Sequence, residues 1–386
     1  MKMSQVWQLT NEATKQTFGE TEVLNEDLSN LVDIGDKVHY SQDSQLKWLA
    51  NMGDQVGKLV VADQLIESVV PSLDMDAWEY GSICEKIRVE MPEASVNESW
   101  QLENGQSYDP NIYYQTKVHA KFFNKRVTFE VPQSITEMQY KSAFQNGTQL
   151  GSFVEAMYNA VKNALTIRKD ALKMACINSF TAEVLHANYD DGNYSAKSTI
   201  QAVNLLYLYK QKNPNSTLTA ETCITDPEFI RFATYTMNKT RYRMSRASKL
   251  FNLSKATRLT PANRLHFVAL ADFTEAATSY LQSDTYHKEL VALEKYDKVP
   301  YWQGTGTEYG FNDVSKIDVK TPNNNVVSTT GILAVMFDRY ALGVSNLYER
   351  TTTEWVAKAE FWNNFHKVDV GYYNDHDENF VVFFVA

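Results

Sequence analysis

The stretch from Gly151 to about Ala187 constrains this chain more than any other. Phe153, Met157, Ala160, Ala164, Ile167, Ala171 and Met174 recur at intervals of four and three, which places them on one face of a helix. Val154, Val161, Leu165, Leu172 and Cys176 widen that face, leaving Glu155, Lys162, Arg168, Lys169, Asp170 and Lys173 for the wet side. Ser152 and Glu155 have the spacing of a capping box and predict where the helix starts. At 1.5 Å per residue the first ~25–30 residues alone make a rod of roughly 40–45 Å, long for a globular helix. On pattern alone this is a core helix of an α+β domain, and its neighbours in the chain decide which kind.

Residues 83–132 read as strands. Ile87, Val89 and Met91 alternate with Lys86, Arg88 and Glu90, and Val118, Ala120 and Phe122 alternate with His119 and Lys121. A third run, Val127, Phe129 and Val131, stops at Pro132. The first two runs predict antiparallel arms. Between them lies the polar stretch Pro92 to Asn111 with Trp100, Tyr108 and Pro110, a tip of about 20 residues where a hairpin loop usually has 2–5. A long two-stranded ribbon does not hold itself up in water. It must lie on its own chain, as part of an ordinary sheet, or on a neighbour.

Residues 1–75 read as an arm followed by a helical piece. Gly19 to Asp36 holds Glu20, Glu22, Glu26, Asp27, Asp33 and Asp36 without a basic residue, the pattern of a solvated acidic face. From Gln45 to Val70 the residues Leu46, Leu49, Met52, Val56, Leu59 and Val60 have a helical period that Pro71 ends. After the long helix, Asp190-Asp191-Gly192 breaks the chain. Ile200 to Lys210 and Pro227 to Asn238 predict helices, and Leu265 to Ala271 a buried strand with Asp272 capping the next helix. Such alternation over 200–335 suggests an α/β or α+β lobe. Gly304, Gly306 and Gly310 lack dinucleotide spacing and read as a loop. From Gly331 the strand signals are dense: Ile332 to Phe337, Tyr340 to Leu347, Trp355 to Tyr373 and Phe380 to Val385.

Composition then excludes several classes. A net charge of -10 and a pI near 5.3 argue against a dedicated nucleic-acid binder. Cys84, Cys176 and Cys223 are far apart and predict neither a disulfide framework nor a zinc site, which suits an intracellular origin. No apolar run reaches the ~20 residues of a membrane span. Catalytic motifs are missing: no G-x-S-x-G, no H-E-x-x-H and no phosphate-cradling loop. His366 and His376 with Asp375 and Asp377 read as turn chemistry rather than a metal cluster, so no metal and no cofactor is expected. One charge feature asks for a partner. No acidic residue lies between Glu228 and Asp272, yet Arg231, Lys239, Arg241, Arg243, Arg246, Lys249, Lys255, Arg258 and Arg264 all do. A solvated face, an acidic surface of another subunit and nucleic-acid phosphate all fit. Tyr235 and Tyr242 interleave with these residues without forming a known stacking motif.

The order of parts resembles the major capsid proteins of tailed bacteriophages with the Hong Kong 97 fold, most closely those of small short-tailed podophages. KFFNKRVTFEVPQSITEMQYKSAFQN leading into the long helix, LHFVALADFTEAATSYL with YHKELVALEKYDKVPYW, and the aromatic return around FWNNFHKVDV carry the likeness. It implies an α+β fold divided into an N-terminal arm and helical segment (1–75), an extended loop (76–135), a peripheral domain with the spine helix (136–199 and 335–372), and an axial domain (200–334 and 373–386). It implies a non-enzymatic shell protein, assembled in the host bacterial cytoplasm and resident in the virion, whose pentamers and hexamers form an icosahedral or prolate head around double-stranded DNA. Implied partners are further copies, a scaffolding protein, a portal, decoration proteins and DNA bound without sequence specificity; no membrane is involved. A bacterial encapsulin-like compartment is the alternative. Within this frame Trp100, Tyr108, Tyr113 and Tyr114 are expected to anchor the loop on a neighbour. Arg241, Arg243 and Arg246 are expected to face carboxylates of adjacent chains, the acidic stretch 20–36 among them, or else the packaged genome.

Overall fold

The computed structural model describes residues 3–19, 24–25, 30–41, 43–44, 47–48, 51, 68, 70–75, 84–92, 94, 96–100, 102–137, 147–189, 192–284, 297–300, 302, 317–321 and 326–386. Beyond the N-terminal helices α1 (Met3–Phe18) and α2 (Leu31–His39), the periodic stretch forms a single helix, α3 (Gly147–Asn188). Its 42 residues extend roughly 60 Å, and it joins two hydrophobic cores.

Its N-terminal half serves a four-stranded sheet in the order β1 (Asp74–Met75), β11 (Leu342–Val356), β12 (Phe361–Asn374), β4 (Arg126–Thr136). Met157, Val161 and Leu165 share a core with Ile135, Trp362, Val368 and Val370 of that sheet and with Leu31, Ile34 and Val38 of α2. The C-terminal half serves a mixed sheet ordered β5 (Ala202–Asn204), β13 (Phe380–Phe384), β10 (Ile332–Asp338), β6 (Leu265–Leu270), β7 (Asp297–Val299). Every residue of β10 and β13 is buried, as expected of strands covered on both faces. Ile177, Phe180, Val184 and Leu185 enter that core along with residues of α4 (Leu205–Lys212), α5 (Pro227–Met244) and α6 (Ala271–Asp284). Local signals start two of these helices. The Asn204 side chain accepts from Tyr207 N at 3.0 Å, and that of Asp226 from Phe229 N at 2.8 Å ahead of Pro227. A small hairpin, β8 (Ile317–Lys320) with β9 (Val326–Thr329), completes the lobe.

Several expectations are corrected here. Helix α3 is already formed at Gly147, so Ser152 and Glu155 lie inside it and do not mark its start. The buried stripe of its first half is Met157, Val161 and Leu165, while Ile167 is 54% exposed. Asp170 and Lys173, assigned to the wet side, are buried. They are covered because they pair: Lys173 Nζ donates to Asp74 Oδ2 at 2.8 Å and Ser68 Oγ at 2.7 Å, and Ser68 Oγ donates to Asp170 Oδ1 at 2.6 Å. Strand β4 runs through Pro132 to Thr136 instead of stopping there, which an edge strand tolerates because a proline there can turn its missing donor to the open side. Residues 202–204 are a strand, not the first turn of a helix. Helix α5 continues to Met244, and Asp272 sits within the first turn of α6. Helices α1 and α2 are packed: Ala13, Leu31, Ile34 and Val38 are buried in the same core as Trp48, with Asp33 and Asp36 on the wet side of α2. Most of the helical stretch expected over 45–70 and the glycine loop at 304–310 lie outside the described residues. Strand β4 belongs with β12 from Arg126 onward, and all of β10 pairs with β13 and β6.

Candidate assembly interface

The expected arms pair. Strand β2 (Cys84–Val89) runs antiparallel to β3 (Val118–Phe123), with Cys84 opposite Phe123 and Val89 opposite Val118. What alternation alone does not tell is which face meets the chain's own body, and here it is the polar one. In β2 the covered residues are Cys84, Lys86 and Arg88, while Glu85, Ile87 and Val89 are exposed. Lys86 stands directly opposite Lys121, a pairing that is unfavourable unless an anion lies between them.

That anion comes from the turn between β12 and β13. Asp375, with 0% side-chain exposure, accepts from Lys86 Nζ at 2.8 Å, from Lys121 Nζ at 3.3 Å and from Arg88. Asp377 lies 2.6 Å from Lys121 and 2.9 Å from Arg88, and Glu378 accepts from Arg88 at 2.7 Å. The Lys86 ammonium also donates to Tyr340 O at 2.5 Å and lies 5.2 Å from the centre of the Tyr373 ring. Burial works against ionised Asp375, but the charge and hydrogen bond of Lys86, with Arg88 and Lys121, outweigh it and hold the carboxyl below its ordinary range. Asp377 is held low in the same way, by Lys121. Burial dominates at Glu378 and raises it despite Arg88, and burial likewise lowers Lys86 despite Asp375. The ribbon is thus clasped at its base by charges.

Among the described residues its other face is open. Ile87, Val89, Val118 and Phe122 are 55–65% exposed, and every described residue from 102 to 117 is exposed. Of the expected anchors, Trp100, Tyr108, Tyr113 and Tyr114 all stand on this tip with their rings in solvent. One signal in this stretch is easily overlooked beside the aromatic residues. Between Arg88 and Lys117 the sequence holds Glu90, Glu93, Glu98, Glu103 and Asp109 and no basic residue.

The basic interval does not form one surface. Arg264 pairs with the buried Asp338 at 2.8 Å, and Arg258 lies 4.0 Å from Glu378, so both serve the chain's own fold. Arg241, half-buried, and Arg243, exposed, lie in the last turn of α5, and Arg246 is exposed just beyond it. His366 and His376 are not brought together. His366 Nδ1 meets Thr351 Oγ1 at 3.2 Å on β12, whereas His376 Nε2 lies 2.6 Å from Glu183 Oε2 on α3. Among the described residues no group of His, Cys, Asp and Glu has metal-ligand geometry, and no helix is long and apolar enough to cross a membrane.

Comparison with known proteins follows the same direction. The model of the Phi29-like phage major capsid protein family matches residues 8–384. No curated protein matches the sequence. Among solved structures, that of the head fiber and inner core protein gp22 of native bacteriophage P68 is similar with a TM-score of 0.50 at 9% identity, over 81% of this chain and 83% of that one. The capsid structure of Staphylococcus phage Andhra is similar with a TM-score of 0.47 at 9% identity, over 81% and 83%. The capsid structure of the Cyanophage P-SCSP1u gives 0.44 at 10%, over 82% and 86%. At 9% identity the likeness to the P68 structure speaks to fold alone.

Proposed function

The chain belongs to the Phi29-like phage major capsid protein family, and from that premise we propose that its copies close the head as pentamers and hexamers around double-stranded DNA, the ribbon of each lying on a neighbour. The family is one of structural capsid proteins, so the chain is a shell protein and its place is the virion. No catalytic step is assigned to it. A cargo-enclosing compartment of the same fold is not favoured, because the family match is to a phage shell.

The observation that carries the proposal is the open ribbon: an apolar face and an aromatic tip held out by a charged clasp, in a chain whose other described strands are paired into sheets or a hairpin. Two-stranded ribbons are marginal alone, and rigid aromatic residues are what protein interfaces bury. Trp100, Tyr108, Tyr113 and Tyr114 become covered in the shell; a scaffolding protein, a portal and decoration proteins are its further partners, and packaged DNA is contacted without sequence readout. The test is expression of the full chain followed by sedimentation and negative-stain microscopy. Closed particles are expected, and Trp100→Ala with Tyr113→Ala should lower their yield about ten-fold or more while leaving unfolding of the unassembled subunit unchanged. A wild-type chain that stays monomeric, or a double variant that assembles at the wild-type yield, would overturn the proposal.

A further inference from the structure

The outward face of α5 carries a stripe that its own fold does not use. Tyr235, Lys239, Tyr242 and Arg246 follow at i, i+4, i+7 and i+11, which aligns them along one side of the helix and its continuation. Both tyrosines are exposed. Lys239 Nζ lies 5.5 Å from the centre of the Tyr235 ring, with Lys212 Nζ 5.9 Å from the same ring on the neighbouring helix. Arg246 Cζ lies 5.7 Å from the centre of the Tyr242 ring, and its Nη2 donates to the Tyr242 hydroxyl at 3.3 Å. Rings hold these cations in place without neutralising them. Among the described residues no carboxylate lies within ion-pair distance of Lys239, Arg243 or Arg246, and none stands in sequence between Glu228 and Asp272.

The chain also carries the complement of this stripe. The ribbon tip is acidic, lacks any basic residue from Val89 to Thr116, and presents Trp100, Tyr113 and Tyr114 beside Glu103 and Asp109 in solvent. We propose that the tip of one copy docks on the α5 stripe of a second copy, carboxylates against Lys239 and Arg246 and rings against Tyr235 and Tyr242. This rests on the shell reading above and names a surface on which the ribbon lands. Every copy offers one tip and one stripe, so the contact is heterologous. A contact of that kind, repeated by rotation, closes a ring without any further partner. Nucleic-acid phosphate would also suit cations, but it leaves the tip's acidic and aromatic residues unused.

Charge swapping tests the contact in the full chain. Lys239→Glu with Arg246→Glu, and separately Glu103→Lys with Asp109→Lys, should each lower particle yield about ten-fold, since exposed pairs are individually weak but repeat at every contact. Combining all four should restore yield to within about three-fold of wild type. Circular dichroism of unassembled subunits keeps a folding defect apart from lost assembly, and should be unchanged because Arg246, Glu103 and Asp109 are exposed and Lys239, half-buried, lies within ion-pair distance of no described carboxylate. Wild-type yield from the helix variant, or no rescue by the combination, overturns the contact. Helix-variant shells that form normally but release DNA at lower salt than wild type also overturn it, and place phosphate on the stripe. A wild-type chain that forms no particles refutes the shell reading itself, which is a separate failure.

Discussion

Replacing Asp375 by asparagine keeps its size and removes one buried charge from beneath the ribbon. Lys86 and Arg88 are then left with side-chain exposures of only 16% and 12% and without the carboxylate they share. Removing one partner from a buried ion pair costs about 3–5 kcal/mol. The loss here should be smaller, because Arg88 keeps Asp377 at 2.9 Å and Glu378 at 2.7 Å, and because Lys121, 40% exposed, is largely hydrated. An effect of about 2–3 kcal/mol is expected, concentrated in the ribbon, since a two-stranded hairpin has little stability of its own. Hydrogen exchange on unassembled subunits reads it directly: amides of 84–89 and 118–123 should open roughly 30- to 150-fold more often, with β10 and β13 unchanged. The same clasp gives a pH dependence of defined sign. Asp375 and Asp377 sit below their ordinary values, so their contribution is complete above the usual carboxylate range and is lost as the pH falls through their lowered values. Glu378 is raised, so its contribution has the opposite sign and disappears as the pH rises through its raised value. The net expectation is a ribbon that loosens at acid pH below that range in wild type, and less steeply in Asp375→Asn. Ribbon exchange that is identical in the two proteins at neutral pH would refute the clasp.

Three further outcomes follow from single residues. Gly331 has φ +77°, and a Cβ there would fall on the Val385 carbonyl oxygen, so Gly331→Ala should destabilise by about 2–3 kcal/mol in denaturant unfolding. Lys173→Met removes the ammonium that lies 3.7 Å from the buried Asp170 and donates to Asp74 and Ser68; because Asp74 is half in water, a loss near about 2 kcal/mol is expected from the same measurement. Ile167→Gln should change subunit unfolding by no more than about 0.5 kcal/mol, where a buried isoleucine would cost several times that, which distinguishes the observed face of α3 from the stripe read in its sequence.

Sequence periodicity locates the long helix, the ribbon arms, β6 and the strands from Ile332 onward, because each is amphipathic or wholly apolar over enough residues to have a period, whereas the short β5, β7, β8 and β9 are too brief to show one. It misjudged α3 where adjacent stripes are both apolar. A 3.6-residue repeat offers Ile167 and Leu165 almost equally, and only the sheet that packs there selects Leu165. It misplaced Asp170 and Lys173 because their partners, Ser68 and Asp74, lie about a hundred residues away and no local pattern announces them. The clasp was hidden for the same reason. Lys86 and Asp375 are 289 residues apart, and the turn that holds Asp375 looks in sequence like any acidic turn.

The inverted ribbon is what ties the energetics to assembly. Had the apolar face been turned inward, Ile87, Val89, Val118 and Phe122 would be spent on the chain's own body and the outward face would offer mainly charges, with Cys84 and Phe123 beside them. Exposed ion pairs contribute roughly 0–1 kcal/mol each and weaken with salt. With the charges turned inward, the clasp fixes the ribbon's direction before any neighbour arrives, and the apolar side chains keep more than half of their surface for that neighbour. Covering a whole side chain of this size contributes about 1.5–3 kcal/mol, so the uncovered halves of four of them offer on the order of 3–6 kcal/mol per copy. A loose ribbon would lose much of that gain in ordering itself on contact, which is why the inward charges matter to a contact they never touch.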